Sequence, residues 1–315
     1  MASLGKKVEN IKLDKKSRIA DLMAQFSRSG GFTARKLADA FQIFKDMEAD
    51  KNCFKFLSFP ADIISTGTRG VIVDLVKNRM VDAVITTAGM MDHDLARLWR
   101  DYYTGTEKAD DAKLRANHIN RLYDIFIPDE SYGYILEDKL KPMIAEAAKL
   151  KKEYATNELI SFIGERIKDE KKADETITYW AWKNKIPVII PGFTDGSFGS
   201  QIWMYTQKDH DFKINPILDE NLLADIVFTA KRTGALMIGG GISKHHTIWW
   251  NLFRGGLDYA IYMTTAVEWD GSLSGAKLTE AVSWGKVKPK ARYIDVEGDA
   301  TILLPLLYGA YIETK

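Results

Sequence analysis

One cysteine, Cys53, is all that the 315 residues contain. A lone thiol excludes an intramolecular disulfide and suits a reduced, cytoplasmic setting. Long apolar runs are missing too: no stretch reaches the ~18 uncharged apolar residues that a membrane span needs. The lysine-rich start (Lys6, Lys7, Lys12, Lys15, Lys16) has no apolar segment after it, so no secretory signal is expected. Charge of one sign is not in excess, since 44 basic and 43 acidic residues leave a net +1 spread along the chain. A nucleic-acid partner would call for a clustered basic face, and none is seen. The chain also lacks a P-loop, a G-x-S-x-G elbow and a catalytic Cys/His pairing. Without a cysteine cluster or a helical His-x-x-x-His pair, no metal site is expected.

What is present alternates between two periods. Ile19, Leu22, Met23 and Phe26 share a helical face, Ser29-Gly30-Gly31 breaks it, and Thr33 is placed to cap a second helix carrying Leu37, Phe41 and Phe44. Strand patterns follow at Cys53 to Phe59, Asp82 to Thr87, Pro187 to Pro191, Ala235 to Ile238 and Tyr259 to Tyr262, and Tyr293 to Val296 and Thr301 to Leu307 complete the domain. Helical patterns lie between them: after Thr66-Gly67, around Asp92 to Leu95, over Glu137 to Lys152 and Glu158 to Lys168, and over Asn221 to Thr233. The more polar middle has Ile125-Phe126-Ile127-Pro128 as its apolar kernel. Strands alternating with helices predict an α/β fold, Rossmann-like, with a mostly parallel sheet and helices on both faces. Residues 1–50 read as an N-terminal arm and helices, and 51–315 as a single α/β domain.

The stretch from Gly234 to Lys286 organises the rest. An apolar run ends in Gly239-Gly240-Gly241, followed by Ser243-Lys244-His245-His246 and an aromatic helical segment. A second apolar run leads to Asp270-Gly271-Ser272 and then Glu280-Ala281-Val282-Ser283-Trp284-Gly285-Lys286. A glycine triplet before a helix either cradles a pyrophosphate or makes a tight turn at a strand end. Thr87-Ala88-Gly89, Asp195-Gly196-Ser197, Thr265-Ala266 and Asp270-Gly271-Ser272 are further small-residue turns expected just after strands. In open parallel sheets that rim is where ligands bind. Lys286 is a surface lysine or a nucleophile, because an amine desolvated against an aromatic wall loses its proton more readily. Of His245 and His246, one is expected to serve a site and the other to make a structural hydrogen bond. Trp249, Trp250 and Phe253 read as core or subunit-interface packing.

The motifs together are specific. Ser29-Gly30-Gly31-Phe32-Thr33-Ala34, Thr86-Thr87-Ala88-Gly89, Thr178-Tyr179-Trp180-Ala181, Thr194-Asp195-Gly196-Ser197, the glycine triplet with Lys244-His245-His246, and Glu280 through Lys286 resemble those of deoxyhypusine synthases, over nearly the whole chain. The helical arm and Asp92-His93-Asp94-Leu95 resemble the archaeal branch. The resemblance implies an NAD-dependent transferase of hypusine biosynthesis, a post-translational modification. In it the butylamine portion of spermidine moves through an enzyme-lysine imine to one lysine of the hypusine-containing translation factor. It implies Lys286 as the covalent lysine and His245 beside the amine being oxidised. Glu280, Trp284, Asp92, Gly271 and Ser272 would hold the polyamine. NAD would be held by Ser65, Thr87, Ala88, Gly89, Asp195, Gly240, Thr265, Ala266, Asp299 and Ala300, making 51–315 the NAD-binding catalytic domain. It also implies a homotetramer with sites at dimer interfaces and the arm near a neighbour's entrance.

The chain departs from that pattern at the amine-donor end. His93, Ser200 and Leu273 stand where a standard spermidine site has acids, and Trp249 where it has an asparagine. An acid ~4 Å from an ammonium is worth a few kcal/mol at an effective dielectric near 20, so donor affinity must change unless Asp92, Asp94, Asp270 or Glu280 compensates. A different donor amine, a small-amine acceptor as in homospermidine formation, and a non-catalytic NAD-binding sensor are the other readings.

Overall fold

The computed structural model describes residues 5–315; the first four residues of the expected arm lie outside them. The chain forms two compact units, one running up to Ser58 and resuming at Val227–Lys315, the other spanning Phe59–Ile226.

In the first unit the strands Val287–Glu297, Leu257–Thr264, Arg232–Ile238 and Cys53–Phe59 lie side by side in that order, all parallel. Leu236 sits opposite Leu57 on one side and Ile261 on the other. Ala235, Leu236, Met237, Ala260, Ile261, Tyr262 and Met263 are all fully buried. Consecutive buried residues, rather than alternate ones, are what strands covered on both faces require. The helices are Ile19–Ser29, Phe32–Ala49, Gly241–Leu252, Leu278–Ser283 and Ala300–Ile312.

Two local expectations shift. Gly30 caps the first helix in the left-handed region (φ 71°), and only Gly30 and Gly31 separate it from the helix starting at Phe32. Thr33 therefore lies inside that helix rather than capping it. The helix expected to run to Thr233 is Ile217–Thr229, because Arg232 and Thr233 pair with Cys53 and Phe54 as strand.

The second unit pairs Ala83–Thr86 in parallel with Val188–Ile189. The Pro187 to Pro191 strand is trimmed to two residues. The Ile190 N–H leaves the ladder for Thr156 Oγ1, and the flanking prolines have no N–H to give. Around this pair lie the helices Arg69–Lys77, Gly89–Trp99, Gly133–Leu150, Thr156–Arg166, Ile177–Asn184 and Ser197–Thr206. The apolar kernel at 125–128 is the middle strand of a small antiparallel sheet with Tyr103–Thr104 and Ile119–Leu122, which the sequence did not signal. The mostly parallel α/β architecture with N-terminal helices is as expected. Among the described residues, no helix is long and apolar enough to cross a membrane.

Candidate active site

Gly285, at φ 70°, turns the chain out of the Leu278–Ser283 helix in a conformation that favours glycine. Lys286 follows with its backbone pinned. Its N–H donates to Ala281 O at 2.9 Å, and its carbonyl accepts from Leu257 N at 3.1 Å. The side chain is 8% exposed, with Nζ 5.5 Å from the Trp249 ring centroid and 5.2 Å from that of Trp284. Of the two readings left open for this lysine, the surface one falls. Lys286 lines a cavity of about 290 Å³ with Lys244, His245, Trp249, Leu273, Glu280 and Trp284, all in the first unit.

His245 stacks on Trp249, ring centroids 5.6 Å apart at 29°. Burial, and then the Lys286 charge, push its pKa down, so its imidazole is neutral at neutral pH and able to take a proton. His246 is held down at about 4 by burial and then by His245. Glu280 and Trp284 are exposed at the cavity's edge. The buried face of the Gly241–Leu252 helix is largely polar: Ser243, Lys244, Thr247, Ile248 and Asn251. Part of it is satisfied within the helix, with Thr247 Oγ1 donating to Ser243 O and Asn251 Nδ2 to Thr247 O. The aromatic Trp249 and Phe253 are 40% and 49% exposed, so in this chain they face away from the core.

The glycine triplet proves to be a turn with one open face. Gly239 and Gly241 have φ of 63° and 68°. A Cβ on Gly240 would run into Ser274, whose Oγ accepts the Gly241 N–H at 3.1 Å. Nothing lies within 4 Å of where a Cβ on Gly241 would sit. Neither Asp-Gly-Ser turn directly follows a strand: Asp270 ends the short turn Glu268–Asp270, and Asp195 precedes the Ser197–Thr206 helix. Asp270 Oδ1 accepts the Ser272 N–H at 2.6 Å, bending the loop at Gly271. Ala266 N donates to Thr264 Oγ1, beside exposed Thr265. Asp299 caps the helix starting at Ala300 through Thr301 N at 2.8 Å.

In the second unit Ser65 is buried and donates to Asp62 O, while Thr87 Oγ1 accepts the Ala61 N–H at 3.1 Å. Ala88 is buried, Gly89 opens a helix, and Asp195 is exposed. Asp92 is fully buried, and its carboxylate accepts from Tyr132 OH at 2.8 Å, Ser197 N at 2.9 Å and Phe198 N at 2.7 Å. It caps the Ser197–Thr206 helix from a neighbouring element, and burial raises its pKa. Asp94 is engaged wholly with Arg69, Ile177 N and Thr178. His93 shares a 2.9 Å hydrogen bond with Tyr102 OH and is held neutral, at about 4, by burial.

Lys244 was quoted in a motif but given no task by the sequence. In the fold it lies on the buried face of its helix and is 1% exposed. A charge cluster that includes Lys277 of the cavity lining was also missed. Glu297, ending the Val287–Glu297 strand, accepts from Lys277 and, at 2.6 Å, from Lys36. Burial opposes its ionisation, but the two ammonium groups outweigh that and hold its pKa at about 2, below the ordinary 4.5. A depressed carboxylate contributes stability above its unfolded pKa, and loses it as pH falls through the folded one. Stability is therefore expected to fall between about pH 4.5 and pH 2 through this group. Glu297→Gln should flatten that part of the acid-unfolding curve, read by circular dichroism.

A buried lysine between indoles, sharing a cavity with a neutral imidazole at the start of the Val287–Glu297 strand, suits an α/β enzyme of imine chemistry. The sequence model of deoxyhypusine synthase matches residues 21–311. The "probable deoxyhypusine synthase" of Picrophilus torridus is 55% identical over 306 residues, 97% of each chain. That of Thermoplasma volcanium is 53% identical over 309 residues, 98% of each. A crystal structure from Entamoeba histolytica, also named for deoxyhypusine synthase, superposes with a TM-score of 0.70 at 22% identity, covering 98% of both chains. This chain belongs to the deoxyhypusine synthase family.

Proposed function

We propose that the chain carries out NAD-dependent transfer of the 4-aminobutyl group of spermidine to a lysine of the hypusine-containing translation factor, with Lys286 as the covalent carrier. The observation that carries this is the Lys286 amine, nearly closed off from solvent, in one cavity with neutral His245 and with Glu280.

The residues' work follows from their chemistry. NAD, when bound, would supply the acceptor for a hydride from the carbon next to the donor's secondary nitrogen and, once reduced, the hydride returned at the end, so the reaction has no net oxidation. His245 takes the proton that the amine loses as it becomes an imine. Lys286 adds to that carbon and 1,3-diaminopropane leaves, so a C–N bond to Nζ replaces the one to the leaving amine. The acceptor lysine then displaces Lys286 in the same way, and reduction of the final imine gives deoxyhypusine. Trp284 and Trp249 offer ring faces to a cationic chain, and Glu280 a counter-charge.

For NAD, the open face at Gly241 supports a fit. It lies at the start of a twelve-residue helix, where an anion is favoured and no side chain is in the way. Within the first unit, Gly240 with Thr265, Ala266, Asp299 and Ala300 would be the residues that hold NAD. Gly240, closed off by Ser274, would contribute backbone only. The exposed Trp249 and Phe253 support association of chains, in keeping with a homotetramer in the cytoplasm.

Incubation with NAD, labelled spermidine and the purified translation factor is expected to move label onto one lysine of the factor. Label reaching only added small amines would favour the homospermidine-type reading. A second donor is favoured by one observation: apolar Leu273 lines the cavity. In that case a diamine or an agmatine-like amine should outcompete spermidine in kcat/KM.

A further inference from the structure

Lys244 has no part in the chemistry above, yet it is more deeply buried than Lys286 and lines the same cavity. Its Nζ donates to Leu273 O at 2.9 Å and to Ala276 O at 2.6 Å. It stands 3.7 Å from the centroid of the Tyr262 ring. Tyr262, itself fully buried in the strand Leu257–Thr264, donates its hydroxyl to Ser274 O at 2.5 Å. Thr264 Oγ1 reaches the same carbonyl at 3.3 Å. Four bonds thus converge on the carbonyls of Leu273, Ser274 and Ala276, all from side chains rooted in the helix and strand beneath.

The loop so held runs from the Gly271 turn to Lys277 and has no regular secondary structure. Its first residues are Gly271 and Ser272, and Leu273 lines the cavity. Burying an ammonium is costly unless it is fully bonded. Here carbonyl dipoles and a ring face bond it, which fixes the loop as no apolar side chain could. Burial lowers the Lys244 pKa to about 8, opposed by the charges of Asp295 and Glu280, so the amine remains mostly protonated at neutral pH.

We infer that Lys244, with Tyr262, is a positioning residue that clamps the 271–277 loop and thereby sets affinity for the donor amine. The inference rests on the proposed transferase reading for the identity of that donor. Lys244 touches loop carbonyls and acts on the donor only through the loop.

The test uses the full chain with Lys244→Met and, in case that variant folds poorly, Tyr262→Phe. Two readouts are taken. Amide exchange is followed at Gly275 and Ala276, whose N–H groups bond Ser272 O at 3.1 Å within the loop. Exchange there should accelerate about tenfold or more, while amides of the Arg232–Ile238 strand stay protected. In steady-state assays the KM for the donor should rise about tenfold with kcat within about threefold, since the clamp affects binding before chemistry. The double variant should be little worse than Lys244→Met, because the two groups act as one unit. Unchanged exchange overturns the clamp. Faster exchange with an unchanged KM, or kcat falling in place of a KM rise, overturns its role in donor affinity. A wild-type chain that forms no amine-dependent adduct contradicts the transferase reading instead, and the exchange readout still decides the clamp.

Discussion

Replacing Lys286 by arginine is expected to reduce transfer by about 10,000-fold or more, because a guanidinium cannot take up a carbonyl-type carbon as an imine. Arginine keeps the charge that stands over Trp249 and Trp284, so the fold and the wall of the cavity should survive. The contrast with His245→Ala is informative. Losing a general base costs about 100- to 10,000-fold, and added imidazole or raised pH recovers part of it. Losing the carrier itself leaves no route to recover. Initial rates of labelled butylamine transfer, alongside circular dichroism of each variant, check both.

Asp94→Ala is expected to be the most damaging single change to stability in the second unit. Asp94 is fully buried, and the Arg69 side chain facing it at 2.9 Å is 5% exposed. The same carboxylate accepts from Ile177 N at 3.2 Å and from Thr178 N and Oγ1, tying the start of the Ile177–Asn184 helix to the Gly89–Trp99 helix. Removal leaves a buried guanidinium without its counter-charge, which costs about 3–5 kcal/mol, or roughly 6–20 °C in melting temperature. The exposed pair Arg35–Asp39 is a matched control, since its side chains are 52% and 43% exposed. Breaking that pair through Asp39→Ala should change stability by no more than ~1 kcal/mol. Differential scanning calorimetry of the two variants separates the cases.

The alternation of strands and helices was legible because both signals are local. Ala235 to Ile238 and Tyr259 to Tyr262 are apolar without interruption, and buried parallel strands must be. The antiparallel sheet around 125–128 was not legible, for its strands are two to four residues long and partly exposed. In the site, Lys286 and His245 could be singled out by motif, but spacing alone could not tell a surface lysine from a buried one. That depends on Gly285 turning the chain and on Trp249, distant in sequence, facing the lysine alongside its near neighbour Trp284. The glycine triplet could be read as turn or cradle until Ser274, far along the chain, was seen to fill the space before Gly240. Asp92 shows the opposite limit. Sequence marks it as an acid near a site, whereas only the fold reveals three donors already claiming its oxygens.

The account stands or falls on where the donor's carbon attaches. Incubating the protein with NAD and spermidine, adding borohydride, and mapping the digested chain by mass spectrometry should find a butylamine increment on the peptide containing Lys286, absent when NAD is omitted. An increment on another lysine, or none under conditions where bound NAD is reduced, would contradict it.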